Sequence, residues 1–129
     1  MSVDEISLTL PADDAFHGVA HLVLGGLAVR LDLTFEHLED LELALDALLE
    51  RTASGEDVTV RVRVLDGELK TFVGPFESVR AELGDSGNDM LNLGRILGTV
   101  CDHVEVTEQD GSQWVELTKR VEIRKNGGA

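Results

Sequence analysis

The spacing of apolar residues changes at Asp57, and this change constrains the fold more than any other feature of the sequence. Before Asp57, apolar residues recur at helical spacing in two leucine-rich stretches. After it, valines at every second position from Val58 to Val64 alternate with polar residues, as in a strand with one buried face. Two Asp-Gly pairs, at residues 66–67 and 110–111, predict two-residue hairpin turns. The sequence therefore predicts an α+β domain.

The first half of the chain predicts one strand and two helices. The strand covers Ile6–Leu10, where apolar and polar residues alternate. The first helix runs from residue 13 or 14 to about Leu31, and the second runs from the N-cap Thr34 to Gly55. The residues expected to face the core are Phe16, Val19, Ala20, Val23 and Leu27 in the first helix, and Leu38, Leu41, Leu45, Leu48 and Leu49 in the second.

The second half predicts four strands and one short helix. The strands are Val58–Val64, Glu68–Val73, His103–Glu108 and Gln113–Ile123, and the helix is Leu91–Val100. Gly74-Pro75 is expected to end the second of these strands, and Gly84–Met90 has the composition of a loop. We therefore expect one domain over residues 1–124 with a disordered tail at 125–129. Its fold would be a two-layer α/β sandwich, with three helices on one face of a mixed, mostly antiparallel five-stranded sheet.

The net charge limits the classes of partner. The chain has 25 acidic and 11 basic residues, a formal net charge of −14, which repels nucleic acid and anionic lipid. Residues 1–60 contain 13 acidic and 2 basic residues, whereas residues 61–129 contain 12 and 9. The acidic half either binds a basic protein partner or forms a solvated surface. A single cysteine, no signal-peptide pattern and no bilayer-spanning apolar stretch predict a cytoplasmic protein.

Six segments follow one another in an order typical of one bacterial family. They are LTLPAD at Leu8–Asp13, the leucine-rich first helix, FEHLEDLELALDAL at Phe35–Leu48, DGELKTFV at Asp66–Val73, LGRILGTVCDHVEV at Leu93–Val106 and VELTKRV at Val115–Val121. Over nearly the whole chain this series resembles the anti-sigma regulatory factors (switch-protein serine kinases) of the GHKL, or histidine-kinase-like ATPase, fold. The resemblance implies a homodimer and, as partner, a sigma factor or a STAS anti-anti-sigma protein.

The same resemblance directs attention to the positions that bind ATP in active members of the family. These members carry a Glu that orients the attacking group and, four residues later, an Asn that holds Mg²⁺, where this chain has Ala47 and Arg51. Alanine cannot accept a proton, and arginine cannot ligate a metal ion. Helical spacing places both residues on one side of the second helix, roughly opposite the stripe of Leu38, Leu45 and Leu49.

Two further nucleotide motifs of the family are also incomplete. Gly74-Pro75-Phe76 stands where an Asp would read the adenine, and Asn92-Leu93-Gly94 stands where a Gly-x-Gly box is expected. The resemblance thus implies a vestigial nucleotide pocket with no catalytic residue, no metal and no cofactor. Its residues are Ala47, Arg51, Gly74, Phe76, Asn92 and Gly94.

The residues themselves leave some alternatives open. Arg51 or Arg95 either pairs with a phosphate or pairs with a local acid such as Asp46 or Glu50. If an arginine pairs with phosphate, the chain would be an active or residual serine kinase that binds ATP and Mg²⁺ through rearranged ligands. A third reading is a fold relic attached to another regulatory assembly.

Three residues are candidates for partner binding. His17 and His21 have a spacing that can clamp a metal, but no third ligand is evident, and two exposed or partly packed histidines are the simpler interpretation. By resemblance, their helix lies near the partner surface, so His21 is a candidate contact. Trp114 is either an interface anchor or packed under a loop or in a dimer seam. Cys101 is expected to be a buried, inert thiol.

Overall fold

Five strands and three helices form the domain in the computed structural model, which describes residues 4–11, 13–31, 33–51, 56–65, 67–77 and 93–120. The strands are β1 (Asp4–Pro11), β2 (Asp57–Leu65), β3 (Glu68–Phe76), β4 (His103–Gln109) and β5 (Ser112–Arg120). The helices are α1 (His17–Leu31), preceded by a 3-10 turn over Asp14–Phe16, α2 (Phe35–Leu49) and α3 (Leu93–Val100). The predicted order of elements is confirmed.

The sheet is antiparallel throughout the described residues. Its strand order is β1-β2-β3-β5-β4, and all four ladders are antiparallel. The prediction of a mixed sheet is wrong in this respect. Two helices connect β1 to β2, so the chain returns in the opposite direction. β4 does run parallel to β3, but β5 lies between them and pairs with both.

The two Asp-Gly turns and the Gly-Pro pair have different outcomes. Asp110 and Gly111 have φ of 53° and 80°, which confirms the predicted hairpin turn between β4 and β5. Gly67 has φ of 77°, while its neighbour Asp66 lies outside the described residues. β3 does not end at Gly74-Pro75, as the sequence predicted, but continues to Phe76. A register shift in its pairing with β5 accommodates Pro75, which has no N–H to donate.

The core lies between the helices and one face of the sheet. β2, β3 and β5 contribute Val58, Val60, Val62, Leu69, Val73, Val115 and Leu117 to it. The predicted α2 stripe is confirmed, because Leu41, Leu45, Leu48 and Leu49 are buried and Leu38 packs against them. The Thr34 hydroxyl accepts a hydrogen bond of 3.1 Å from the His37 N–H, as expected of an N-cap.

The inward face of α1 differs from the prediction. Ala20 and Leu27 are buried as expected, but Phe16 and Val19 are 38% and 42% exposed. Leu24, Ala28 and Leu31 are buried instead. The helix contains no acidic residue and is apolar on all sides, so its sequence pattern does not define which side is buried.

Some predicted features lie outside the described residues. They are the loop Gly84–Met90, Asn92, the end of the last strand beyond Arg120, and the tail 125–129. α2 ends at Leu49 with Glu50 as its C-cap, several residues before the predicted stop at Gly55, which also lies outside them. No helix in the described ranges has the length and apolarity required to cross a bilayer.

Candidate functional site

Ala47 and Arg51 lie at the end of α2, and neither side chain offers a carboxylate or an amide. Ala47 is only 6% exposed and belongs to the hydrophobic core. Helical spacing does place it away from the leucine stripe, but α2 packs against both α1 and α3, so this side is buried as well. Arg51 is half-buried and follows the C-cap, where its N–H donates to the Leu48 carbonyl at 3.0 Å.

Gly74 lies under the indole of Trp114. A Cβ built at position 74 would be 2.5 Å from Trp114 Cδ2 and 2.8 Å from Cε3. Val73, which precedes Gly74, and Val115, which follows Trp114, are fully buried on the helix side of the sheet. Because side chains alternate along a strand, a side chain at position 74 would point to the open face of the sheet, away from the helices.

The remaining positions of the predicted nucleotide pocket lie apart from Gly74. Phe76 is buried in the same core cluster as Ala47. Gly94 is half-buried in the first turn of α3, and Asn92 lies outside the described residues. Two of the six residues thus share the core, while a third borders the opposite face of the sheet.

Arg61 and Arg63 cover the aromatic residues of the open sheet face. The Arg61 guanidinium lies 5.9 Å from the ring centroid of Trp114, and that of Arg63 lies 5.7 Å from Phe72. Arg63 also pairs with Glu5 at 2.8 Å. Trp114 is therefore half-buried between Gly74 and an arginine.

His21 connects α1 to α2. Its Nε2 lies 2.8 Å from Asp46 Oδ1, and its Nδ1 lies 3.6 Å from Glu42 Oε2. Asp46, one of the acids predicted as a local partner of Arg51, thus forms a contact between the two helices. His17 is half-buried one turn earlier on α1. The described part of the chain contains no group of three or more His, Cys, Asp or Glu side chains arranged to hold a metal ion.

Cys101 follows α3 and is buried, as predicted. Burial raises the pKa of its thiol to about 11, and the nearby Lys119 ammonium opposes this effect. Lys119 joins three elements, because its Nζ lies 2.8 Å from Asp40 Oδ2 on α2 and donates to the Val100 carbonyl of α3 at 2.8 Å. A thiol with such a high pKa is a poor nucleophile at neutral pH.

The outer surface of the helices carries a feature that the sequence analysis missed. Six large apolar side chains are exposed there: Phe16, Val19, Leu22, Val29, Phe35 and Leu43. The signal that could have revealed this surface is the lack of any polar face on α1, since one side of such a helix must remain uncovered.

The described residues form a layered arrangement of a five-stranded antiparallel sheet and three helices. This fold is shared with a solved structure that contains RsbU and RsbW domains. That relative is the crystal structure of the RsbU and RsbW domains of Rv1364c from Mycobacterium tuberculosis. It matches with a TM-score of 0.67 and 14% identity, over 92% of this chain and 32% of that chain.

Curated relatives give the more particular likeness. The chain is 27% identical to the serine-protein kinase RsbW of Bacillus velezensis, over 92% of its own length and 86% of that protein. It is 28% identical to the protein of the same name from Bacillus pumilus, with the same shares covered. The Listeria monocytogenes protein is 27% identical, over 92% of this chain and 88% of its own. No protein-family model matches. The resemblance to the switch-protein serine kinases is confirmed.

Proposed function

We propose that this chain is an anti-sigma-factor-like regulatory protein that acts by binding a sigma factor or a STAS anti-anti-sigma protein, without transferring phosphate to it. The likeness to proteins named serine-protein kinase RsbW, over 92% of the chain, supports the regulatory role. The observation that carries the loss of catalysis is Ala47, a methyl side chain packed in the core where the family has its catalytic Glu.

The neighbouring positions do not fit ATP and Mg²⁺ either. Arg51 is a permanent cation with no acceptor atom, so it cannot replace a metal-binding Asn. Gly74 has no side chain to read an adenine, and Trp114 fills the space that one would need. By resemblance, these residues together with Phe76, Asn92 and Gly94 occupy the nucleotide-binding positions of the family, but they no longer form one pocket, and we expect no cofactor.

Without catalysis, the chain would act by occupying a surface of its partner. Sigma factors carry basic surfaces for DNA, and an acidic chain with a net charge of −14 would be steered toward them. Binding there would prevent the sigma factor from binding its own partners. We expect this to take place in the cytoplasm, with the chain as a homodimer, as in the family it resembles.

The second candidate is an active or residual kinase that phosphorylates a STAS protein. The observation that favours it is the name of the relatives themselves, serine-protein kinase. Such a kinase would need a general base and metal ligands other than Ala47 and Arg51.

Two assays on the purified chain separate these functions. Titration calorimetry with Mg·ATP should show no binding, and a STAS protein from the same cell should gain no phosphate from ATP in the presence of the chain. The same STAS protein, or a sigma factor co-expressed with the chain, should co-purify with it. Micromolar ATP binding with phosphotransfer would favour the kinase. Recovery of neither partner would favour the fold relic.

A further inference from the structure

α1 presents a smooth apolar face to solvent. Leu22 and Val29 are 78% and 83% exposed. Gly18, Gly25 and Gly26 lie between and beside them, and an added Cβ at any of these glycines would meet no atom within 4 Å. Helical spacing places these residues on one side of the helix, opposite the buried residues. We call this surface the α1 seam; it consists of Gly18, Val19, Leu22, Gly25, Gly26 and Val29.

The α1 seam has the features of a helix-packing surface. It contains no charged residue, although the chain as a whole has 25 acidic residues. Contiguous exposed apolar surface on a protein of this kind marks a site of interaction. The glycines at positions 25 and 26 leave a shallow gap between Leu22 and Val29, into which the side chains of a second helix can pack.

An acidic row on α2 and its C-cap, which consists of Glu39, Glu42, Asp46 and Glu50, borders the seam. Glu39 and Glu50 are exposed on the outer side of α2. Glu42 and Asp46 lie on the side of α2 that faces α1, because both contact His21. The apolar seam and the acidic row therefore lie side by side on the outer surface of the helix layer.

We propose that the α1 seam and the acidic row of α2 together bind one amphipathic helix of a protein partner, in which an apolar stripe is bordered by lysines or arginines. This proposal rests on the proposed function and names the surface that would be used for it. The apolar stripe covers Leu22 and Val29, and the basic side chains pair with Glu39 and Glu50. The homodimer that we expect is a poor occupant of this particular surface, because a second α1 seam would bring its own acidic row beside this one.

Two synthetic peptides test the chemistry of the partner. Both have the length of α1, 15 residues, and the same leucine stripe, but one borders it with lysines and the other with glutamates. Fluorescence anisotropy should show binding of the lysine peptide, weakened by added salt, and at least about tenfold weaker binding of the glutamate peptide. Equal binding of the two peptides, or no binding of either, would overturn the proposal.

Two matched variants test the location. Gly26→Gln places a polar side chain on the seam, and Gly98→Gln places the same side chain on α3, where the space around the glycine is equally open. Gly26→Gln should weaken binding of the lysine peptide by about tenfold or more, while Gly98→Gln should change it less than about twofold. Equal affinities for the two variants would contradict the assigned surface, and thermal unfolding of both checks that they are folded.

A third measurement separates this surface from the proposed function. If a sigma factor or STAS protein binds the wild type and Gly26→Gln equally well, the proposed function stands and the seam is not its site. If the lysine peptide binds at the seam but neither protein binds, the surface stands and the proposed partner is wrong. Self-association that Gly26→Gln abolishes, measured by analytical ultracentrifugation, would make a second copy the occupant and overturn the proposal.

Discussion

Trp114 packs on Gly74 so closely that position 74 has no room for a side chain. The ring carbon Cδ2 would lie 2.5 Å from a Cβ there, well inside van der Waals contact. The contact joins β3 to β5 at the point where their register shifts. It also lies on the open face of the sheet, so the glycine is required by packing on that face and not by the helix layer.

The first prediction concerns this contact. Gly74→Ala should lower the free energy of unfolding by about 1–3 kcal/mol, because the methyl group forces the indole or the strand to move. Gly98→Ala, at an exposed helical glycine with open space, should instead be neutral or stabilise by up to about 1 kcal/mol. Urea denaturation measures both. In a Trp114→Ala background the cost of Gly74→Ala should largely disappear, and an unchanged cost there would disprove the packing explanation.

The second prediction concerns the family's catalytic positions. The double variant Ala47→Glu with Arg51→Asn should not transfer phosphate from ATP to a STAS protein, because the carboxylate that reads adenine is still absent at Gly74. It should also be destabilised by about 2 kcal/mol or more, since the new carboxylate replaces a buried methyl group in the core. Radiolabelled ATP measures the transfer and thermal unfolding measures the stability.

Arg51→Asn alone is the control for this variant, because Arg51 is only half-buried and its replacement leaves the core intact. The single variant should fold with near wild-type stability and should also be inactive. Phosphotransfer by the double variant would refute the requirement for a carboxylate at position 74.

The third prediction concerns the contact between α1 and α2. His21→Ala should lower the free energy of unfolding by about 0.5–1 kcal/mol, a modest value because His21 and Asp46 are each 37% exposed and their pairing is screened by solvent. His103→Ala is the matched control, because His103 is 60% exposed and lies 3.4 Å from Glu105 on its own strand. Its effect should be close to zero. Equal effects of the two variants, in chemical denaturation at neutral pH, would show that the interhelical contact adds nothing.

The fourth prediction concerns Cys101. Burial raises the pKa of its thiol to about 11, from an ordinary value of 9.0, so the folded state favours the protonated form. The stabilising contribution of this group is fully present below pH 9 and is lost as the pH rises toward 11, where the folded protein must also ionise the thiol. Over this interval the free energy of unfolding should fall more steeply for the wild type than for Cys101→Ala. Parallel curves would contradict the raised pKa.

The order and type of the elements could be predicted because local patterns determine them. Alternating valines, the Asp110-Gly111 turn and the Thr34 N-cap each act within a few residues, and all agree with the structure. The resemblance to the serine-protein kinases could be predicted because the matching segments extend over nearly the whole chain.

Long-range relationships could not be predicted in the same way. The inward face of α1 has no local signal, because every side of that helix is apolar. The pairing of His21 with Asp46 depends on how two helices are set beside each other, and the contact of Trp114 with Gly74 depends on the register of two strands. Ala47 lies away from the leucines of its own helix, yet it is buried, because a helix with neighbours on two sides has a wide buried surface.

The uniform apolarity of α1 also affects how this helix is held. Hydrophobic burial fixes its distance from the sheet, but turning the helix about its long axis would exchange one set of aliphatic side chains for another. The hydrogen bond between the His21 ring and the Asp46 carboxylate of α2 opposes that rotation. A mutation that removed this hydrogen bond would therefore change the rotation of α1 about its axis. It would also change which side chains α1 presents to the proposed partner helix.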